Sequence, residues 1–442
     1  MPCLAAALLW VRHLDRGTRT DLALSYLCFA AALLAKTSVV MMPFVLVAVA
    51  AQRRGRLQRA DLLAAAPFFA LSAGAAALTI WFQHRVAMMG EGTGRGLAER
   101  AGGAGWALWS YLERALVPVR VGVAYDPWPV GPGSLAFYLP ALAAILLAGV
   151  VWRFRAPLRP VALALAFQAV MLVPVLGFVD LAFFATAPVS NHLQYLPLMG
   201  PVALLAWCLE RLRQRWRHAA LAAPALVVAL ALFTAWRASA FESDATLWVR
   251  AVQDAPDNPQ VRSQLGNVRE TQGRLEEAAA EFESITLRSR DEAWRRVGHM
   301  SAEYLRGHHA AAAAAAQGIV TSDANLMARR RAVAVLLATG HVDQGITVLQ
   351  DLAARAPTNG EFSLLLARAL RHAGRLPEAA RVLDGWCRAH PGQPAFDWEY
   401  ARVLLGLGDE DGARQRAASA LGTRLDDPRV SALIRGAADG PR

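Results

Sequence analysis

The chain has 442 residues, of which 55% are hydrophobic and 18% charged, with a formal net charge of +11. Its apolar residues gather between Met1 and about Arg237, in Ala/Leu/Val-rich stretches parted by short arginine-rich gaps, which excludes one ordinary soluble domain. The arginines sit in those gaps and form no aromatic-interleaved basic face, so a nucleic-acid partner is not expected and the charge reads as a topology signal.

In chain order, Pro2 to Val11 is too short to span a bilayer. It also lacks the basic leading region and small-residue cleavage site of a secretory signal, so it is expected to be the end of a longer helix whose N-terminal part is missing. Asp21 to Ala51 would reach about 46 Å as one helix, and Lys36, Thr37 and Ser38 interrupt it, which predicts two short helices or a broken one. Leu62 to Gln83, Leu135 to Trp152, Tyr195 to Glu210 and Ala219 to Trp236 come close to the roughly 20 residues of a spanning helix, and Val161 to Leu176 is slightly short. Residues 1–237 are therefore expected to hold about seven or eight spans or part-spans.

Short cytoplasmic loops are enriched in Lys and Arg. Arg12, Arg16 and Arg19 precede the Asp21 stretch and Arg53, Arg54, Arg56 and Arg59 follow it, while Arg153 to Arg159 and Arg211 to Arg217 form two further basic loops. Gly177 to Gln194 contains neither Lys nor Arg. This pattern predicts an integral protein of the cytoplasmic (inner) membrane whose last span delivers everything after Trp236 to the extracytoplasmic side.

The second half, residues 238–438, is periodic. Gly273, Gly307, Gly340, Gly374 and Gly408 are spaced by 34, 33, 34 and 34 residues, and five positions after each comes a small residue: Ala278, Ala312, Gly345, Ala379 and Ala413. A tetratricopeptide unit needs a tight turn between two helices and a small side chain where they approach closely. Leu265, Gly266 and Phe282 fit the same pattern, with Pro357 and Pro391 closing two units, and Asp244 to Pro256 with Trp248 and Ala251 reads as a preceding half unit. The expected class is all-α, a polytopic transmembrane helical domain followed by an α-solenoid of five units. Such solenoids present a concave surface that takes peptides or extended chains.

Residues with chemical potential are few. Lys36 is the only lysine, and an ionisable group at membrane depth marks a candidate site, here for the phosphate of a lipid. Asn191, His192, Gln194 and Tyr195 open a span with polar groups suited to a headgroup or phosphate. Arg114, Tyr125, Asp126 and Trp128 lie in a long outer loop, together with Tyr111 and an amphipathic run from Trp106 to Val121 that suits an interfacial helix beside an acceptor. Gly90, Gly92, Gly94 and Gly96 follow no strand, so nucleotide binding is not expected. Cys3, Cys28, Cys208 and Cys387 have neither metal-ligand nor disulfide spacing, and no HExxH or GxSxG occurs, so no metal or other cofactor is expected.

Four features together resemble the transmembrane and tetratricopeptide-repeat O-mannosyltransferase-like proteins, whose membrane parts are of the GT-C glycosyltransferase type. They are Ala35-Lys36-Thr37 to Pro43, the Tyr111 to Trp128 loop, His192-Leu193-Gln194-Tyr195-Leu196-Pro197, and the half repeat at Trp248. The resemblance implies transfer of a sugar from a polyprenyl-phosphate donor to a hydroxyl of an extracytoplasmic, protein acceptor, with an acidic residue of a first outer loop as base. That loop is not in this sequence, and Asn191-His192 stands where many relatives show Asp-Arg, so the resemblance supplies no catalytic residue. The alternative reading is a non-catalytic, membrane-anchored scaffold whose repeats bind protein partners.

Overall fold

The computed structural model describes residues 2–84, 95–119, 121–216, 221–321 and 326–422, with 430 and 432, and every regular element among them is helical. The chain divides into two compact units, Met1–Val261 and Arg262–Arg442. The composition change at 237/238 falls earlier, because the half repeat belongs to the first unit.

The first unit opens with α1 (Pro2–Arg16) and α2 (Arg19–Ala35), a 3-10 turn (Thr37–Met41), α3 (Met42–Arg54) and α4 (Arg59–Phe82). Lys36 has extended backbone, φ −162° and ψ 120°, which ends α2 and breaks the long apolar stretch at the polar triplet. Trp10, Phe29, Leu46 and Phe68 are fully buried between these helices, with Phe68 meeting Trp10 and Phe29 edge-on at 5.6 and 5.3 Å between ring centroids. Side chains also bind backbone across the helices. Trp10 Nε1 donates to Leu46 O at 2.9 Å, Ser25 Oγ to Ala6 O at 2.7 Å and the Tyr26 hydroxyl to Ala64 O at 2.7 Å. Each bond meets a polar group that the apolar core cannot solvate.

Next come α5 (Leu97–Leu116), α6 (Leu139–Arg153), α7 (Arg159–Leu172), α8 (Met199–Arg215), α9 (Ala222–Ala238) and α10 (Asp244–Asp254). Among the described residues, three stretches are long and apolar enough to cross a membrane: Arg59–Phe82, Leu135–Arg153 and Ala222–Phe241. Arg159–Val175 is apolar but shorter. The 17 residues of α8 include Glu210, Arg211, Arg213 and Arg215 in their last two turns, which leaves that helix less apolar than the expected Tyr195 to Glu210 span. The amphipathic helix before the outer loop starts at Leu97, nine residues ahead of Trp106. Of the loop glycines, Gly90, Gly92 and Gly94 lie outside the described residues.

The repeats are five hairpins: α11 (Pro259–Thr271) with α12 (Leu275–Arg288), α13 (Glu292–Leu305) with α14 (His309–Val320), α15 (Leu326–Ala338) with α16 (Val342–Arg355), α17 (Gly360–His372) with α18 (Leu376–Ala389), and α19 (Pro394–Gly406) with α20 (Glu410–Leu421). Gly273, Gly307, Gly340, Gly374 and Gly408 turn each hairpin at φ between 74° and 86°, the left-handed region that glycine enters without strain. Ala278, Ala312, Ala379 and Ala413 are fully buried, and Gly345 is buried at the equivalent place. Gly266 lies under the ring of Phe282, where a Cβ would come to 2.7 Å. The alanine run Ala310 to Ala316 is the interior of α14.

Candidate functional site

The first unit brings most of the singled-out polar residues onto one wall. The Lys36 ammonium, placed by the break after α2, donates to the backbone oxygen of His192 at 3.1 Å and stands 5.9 Å from the centroid of the Tyr195 ring. His192 Nδ1 is 2.7 Å from Ser190 Oγ. Partial burial, and then the charge of Lys36, hold the His192 imidazole below its ordinary pKa.

Asn191 joins this segment to the outer loop. Its Oδ1 accepts from the Tyr125 hydroxyl at 2.5 Å and its Nδ2 donates to Gly122 O at 2.7 Å. Gln194, 6% exposed, donates to Tyr111 O on α5. The Tyr111 hydroxyl accepts from Ser190 N at 3.0 Å, and burial pushes its pKa up to about 12. Arg114, one turn further along α5, lays its guanidinium over the Tyr125 ring at 3.8 Å from the centroid, a cation–π contact. Burial raises the Tyr125 phenol, and the Arg114 charge opposes that shift. Tyr111 and Tyr125 share a buried cluster with Leu172, Val175 and Val189, and Trp128 packs against it while stacking on Trp106 at 5.8 Å.

Asp126 does something different. Its Oδ1 accepts from Asp257 N at 2.8 Å, tying the loop to the start of the repeats. Asn258 makes the same connection: Nδ2 donates to Tyr125 O at 2.8 Å and to Thr186 O at 2.9 Å, while Oδ1 accepts from Gln260 N and Val261 N as the cap of α11. The sequence Asp257-Asn258-Pro259 carries a readable cap signal, but the reach of its amide to the loop leaves no trace in local sequence. The Arg100–Asp180 pair, bonded through both oxygens at 2.9 Å, was likewise invisible, its partners being 80 residues apart.

The Asn191 and Gln194 amides and the Tyr125 hydroxyl are spent on protein oxygens, and Lys36 and Tyr195 are exposed members of the wall. Among the described residues no cluster of three His, Cys, Asp or Glu side chains suits a metal ion.

In the second unit, buried side-chain atoms without hydrogen-bond partners lie on first helices (Asn267, Arg269 and Trp398), on the second helix α20 (Arg414) and just after α18 (His390). Asn267 Oδ1 on α11 and Trp398 Nε1 on α19 are buried from solvent and have no hydrogen-bond partner. Arg330, Arg368 and Arg402 are exposed on α15, α17 and α19.

A tetratricopeptide repeat family model matches residues 330–394. No curated protein matches the chain. Among solved structures, YrrB, described as a TPR protein with an unusual peptide-binding site, is 13% identical with a TM-score of 0.30, the match covering 43% of this chain and 97% of that one. A thermophilic TPR protein of Thermus thermophilus is 19% identical with a TM-score of 0.31, over 40% of this chain and 98% of its own. The chain carries tetratricopeptide repeats.

Proposed function

We propose that this protein is a membrane-anchored tetratricopeptide-repeat protein whose repeats bind an extended polypeptide. The observation that carries the proposal is the run of five hairpins with left-handed glycine turns and buried small residues, an architecture whose stacked units expose a continuous binding surface. Arg330, Arg368 and Arg402 are exposed on first helices of that array, which suits a polypeptide carrying acidic side chains. The three apolar helices supply the anchor.

The test is to pan the full chain in lipid nanodiscs against a displayed random-peptide library. Enrichment of a peptide family over empty nanodiscs is expected, and its absence overturns the reading.

A second reading rests on a separate observation, the meeting of Lys36 with His192 beside Tyr195, Asn191 and Tyr125. In this reading the wall binds the phosphate of a polyprenyl-phosphate sugar, and the protein serves transfer of that sugar to a hydroxyl of the polypeptide held by the repeats. Membranes containing the chain, supplied with a radiolabelled, photoreactive polyprenyl-phosphate sugar, are expected to show labelling of the chain itself, and Lys36→Met is expected to lower that labelling on the order of tenfold. Equal labelling by the variant removes Lys36 from the donor site.

A further inference from the structure

Between α5, α6 and α7 lies a groove of about 680 Å³, within the range of volumes that hold small molecules. Alanines line its floor: Ala144 and Ala148 on α6, and Ala162, Ala166 and Ala169 on α7. Small residues at this spacing normally let two membrane helices close on one another. Here they leave an apolar channel, lined from α5 by Leu108, Trp109 and Leu112.

Two features mark the channel as more than a lipid-facing surface. The first is Gln168, which lines it, is 2% exposed, and has no hydrogen-bond partner for Nε2. An unmet N–H donor in hydrocarbon is costly, because the group has lost its hydration and gained no partner. The second is a pair of cations, Arg155 and Arg159, which line the groove at the N-terminus of α7. The Arg155 guanidinium is held 4.8 Å from the Trp152 ring centroid. Arginine forks and a helix N-terminus are both phosphate-binding elements.

We infer that the groove binds one anionic glycerophospholipid, its phosphate on Arg155, Arg159 and the α7 N-terminus, and an acyl chain along the alanines. This rests on the reading of α6 and α7 as membrane helices. Gln168 lies nine residues beyond Arg159, about 13.5 Å along the helix axis, and lines the same groove. The lipid's ester carbonyl, placed between phosphate and chain, is the acceptor for Nε2. The arginines then select charge and Gln168 holds any diacyl lipid.

The test is native mass spectrometry of the full chain in mild detergent, with phosphatidylglycerol or phosphatidylcholine of matched chains added in equal amounts. The wild type is expected to retain one phosphatidylglycerol with a preference of about fivefold or more. Arg155→Gln with Arg159→Gln is expected to erase that preference, and Gln168→Leu to lower retention of both lipids by about threefold while keeping it. Equal retention of the two lipids by the wild type, indifference to both variants, or a second copy of the chain bound in place of lipid overturns the assignment. Carbonate washing of membranes separates the two levels: a chain that stays in the pellet without lipid preference loses the groove assignment alone, and a chain released by carbonate loses the membrane reading.

Discussion

The Lys36 ammonium donates to the backbone oxygen of His192 across 156 residues of sequence, at 3.1 Å. This bond joins the break after α2 to the segment that holds Tyr125 through Asn191. Its electrostatic consequence is measurable. His192 is held below its ordinary value first by burial and second by Lys36, so folding binds fewer protons there than the unfolded chain does. Its contribution to stability is present above the unfolded imidazole value of about 6.5 and is lost as pH falls through the lowered folded value. The Lys36→Met variant is expected to raise the His192 pKa without restoring it fully, since burial remains. Histidine ¹⁵N NMR titration of wild type and variant checks this, and an unchanged His192 curve contradicts it.

The glycines of the repeats divide by what surrounds them. A Cβ on Gly266 would meet the buried Phe282 ring at 2.7 Å, whereas one on Gly385, inside α18, would meet nothing within 4 Å. Gly266→Ala is expected to destabilise the repeats by about 1–3 kcal/mol through overpacking, and Gly385→Ala to stabilise them by about 0.5–1 kcal/mol through helix propensity. Urea unfolding followed by the intrinsic fluorescence of the repeat tryptophans gives both signs.

Asn258 serves the α11 cap with Oδ1 and the loop carbonyls of Tyr125 and Thr186 with Nδ2. Asn258→Ala is expected to cost about 1–2 kcal/mol. Asn258→Asp keeps the cap acceptor but turns an oxygen toward two carbonyl oxygens, so it recovers none of the loop attachment. Hydrogen exchange of the amides around Tyr125 reports the difference, since faster exchange in both variants is expected and protection in the aspartate variant contradicts the role of Nδ2.

Burial, with Asp397 adding to it, pushes the Cys387 thiol up to about 11. Little thiolate is therefore present at pH 8, and alkylation there is expected to be slower than in the unfolded chain by at least about tenfold. Mass-spectrometric labelling with iodoacetamide in the presence and absence of denaturant measures it, and equal rates contradict the packing described for α18.

The repeats were legible because close packing dictates composition at fixed spacing: the left-handed turn at Gly273 and its equivalents, and the contact under Phe282, each admit few residue types. The wall of the first unit was legible only as separate parts. Lys36 stood out as the lone lysine and Asn191 to Tyr195 as a polar cluster, yet the bond from Lys36 goes to a main-chain oxygen, which every residue possesses, so no side-chain pattern announces it. Asp126 shows the limit from the other side, since its type suited an acceptor site while its oxygen is engaged by the Asp257 amide. Gln168 escaped notice because one polar residue in an apolar helix is ordinary, and only the groove beside it gives it meaning. The composition boundary at 237/238 records where hydropathy changes, whereas the compact unit extends to Val261 because Ala251 and Val261 pack with Ala124 and Ala187.

The measurement that bears most directly on the central claim is the affinity of one panned acidic peptide, fluorescently labelled, for the full chain in nanodiscs, compared with Arg330→Ala and Arg402→Ala. Both residues lie exposed on first helices of the repeats, and each substitution is expected to weaken binding by about fivefold, close to 1 kcal/mol. Peptide binding that neither variant changes would contradict recognition by the repeat array.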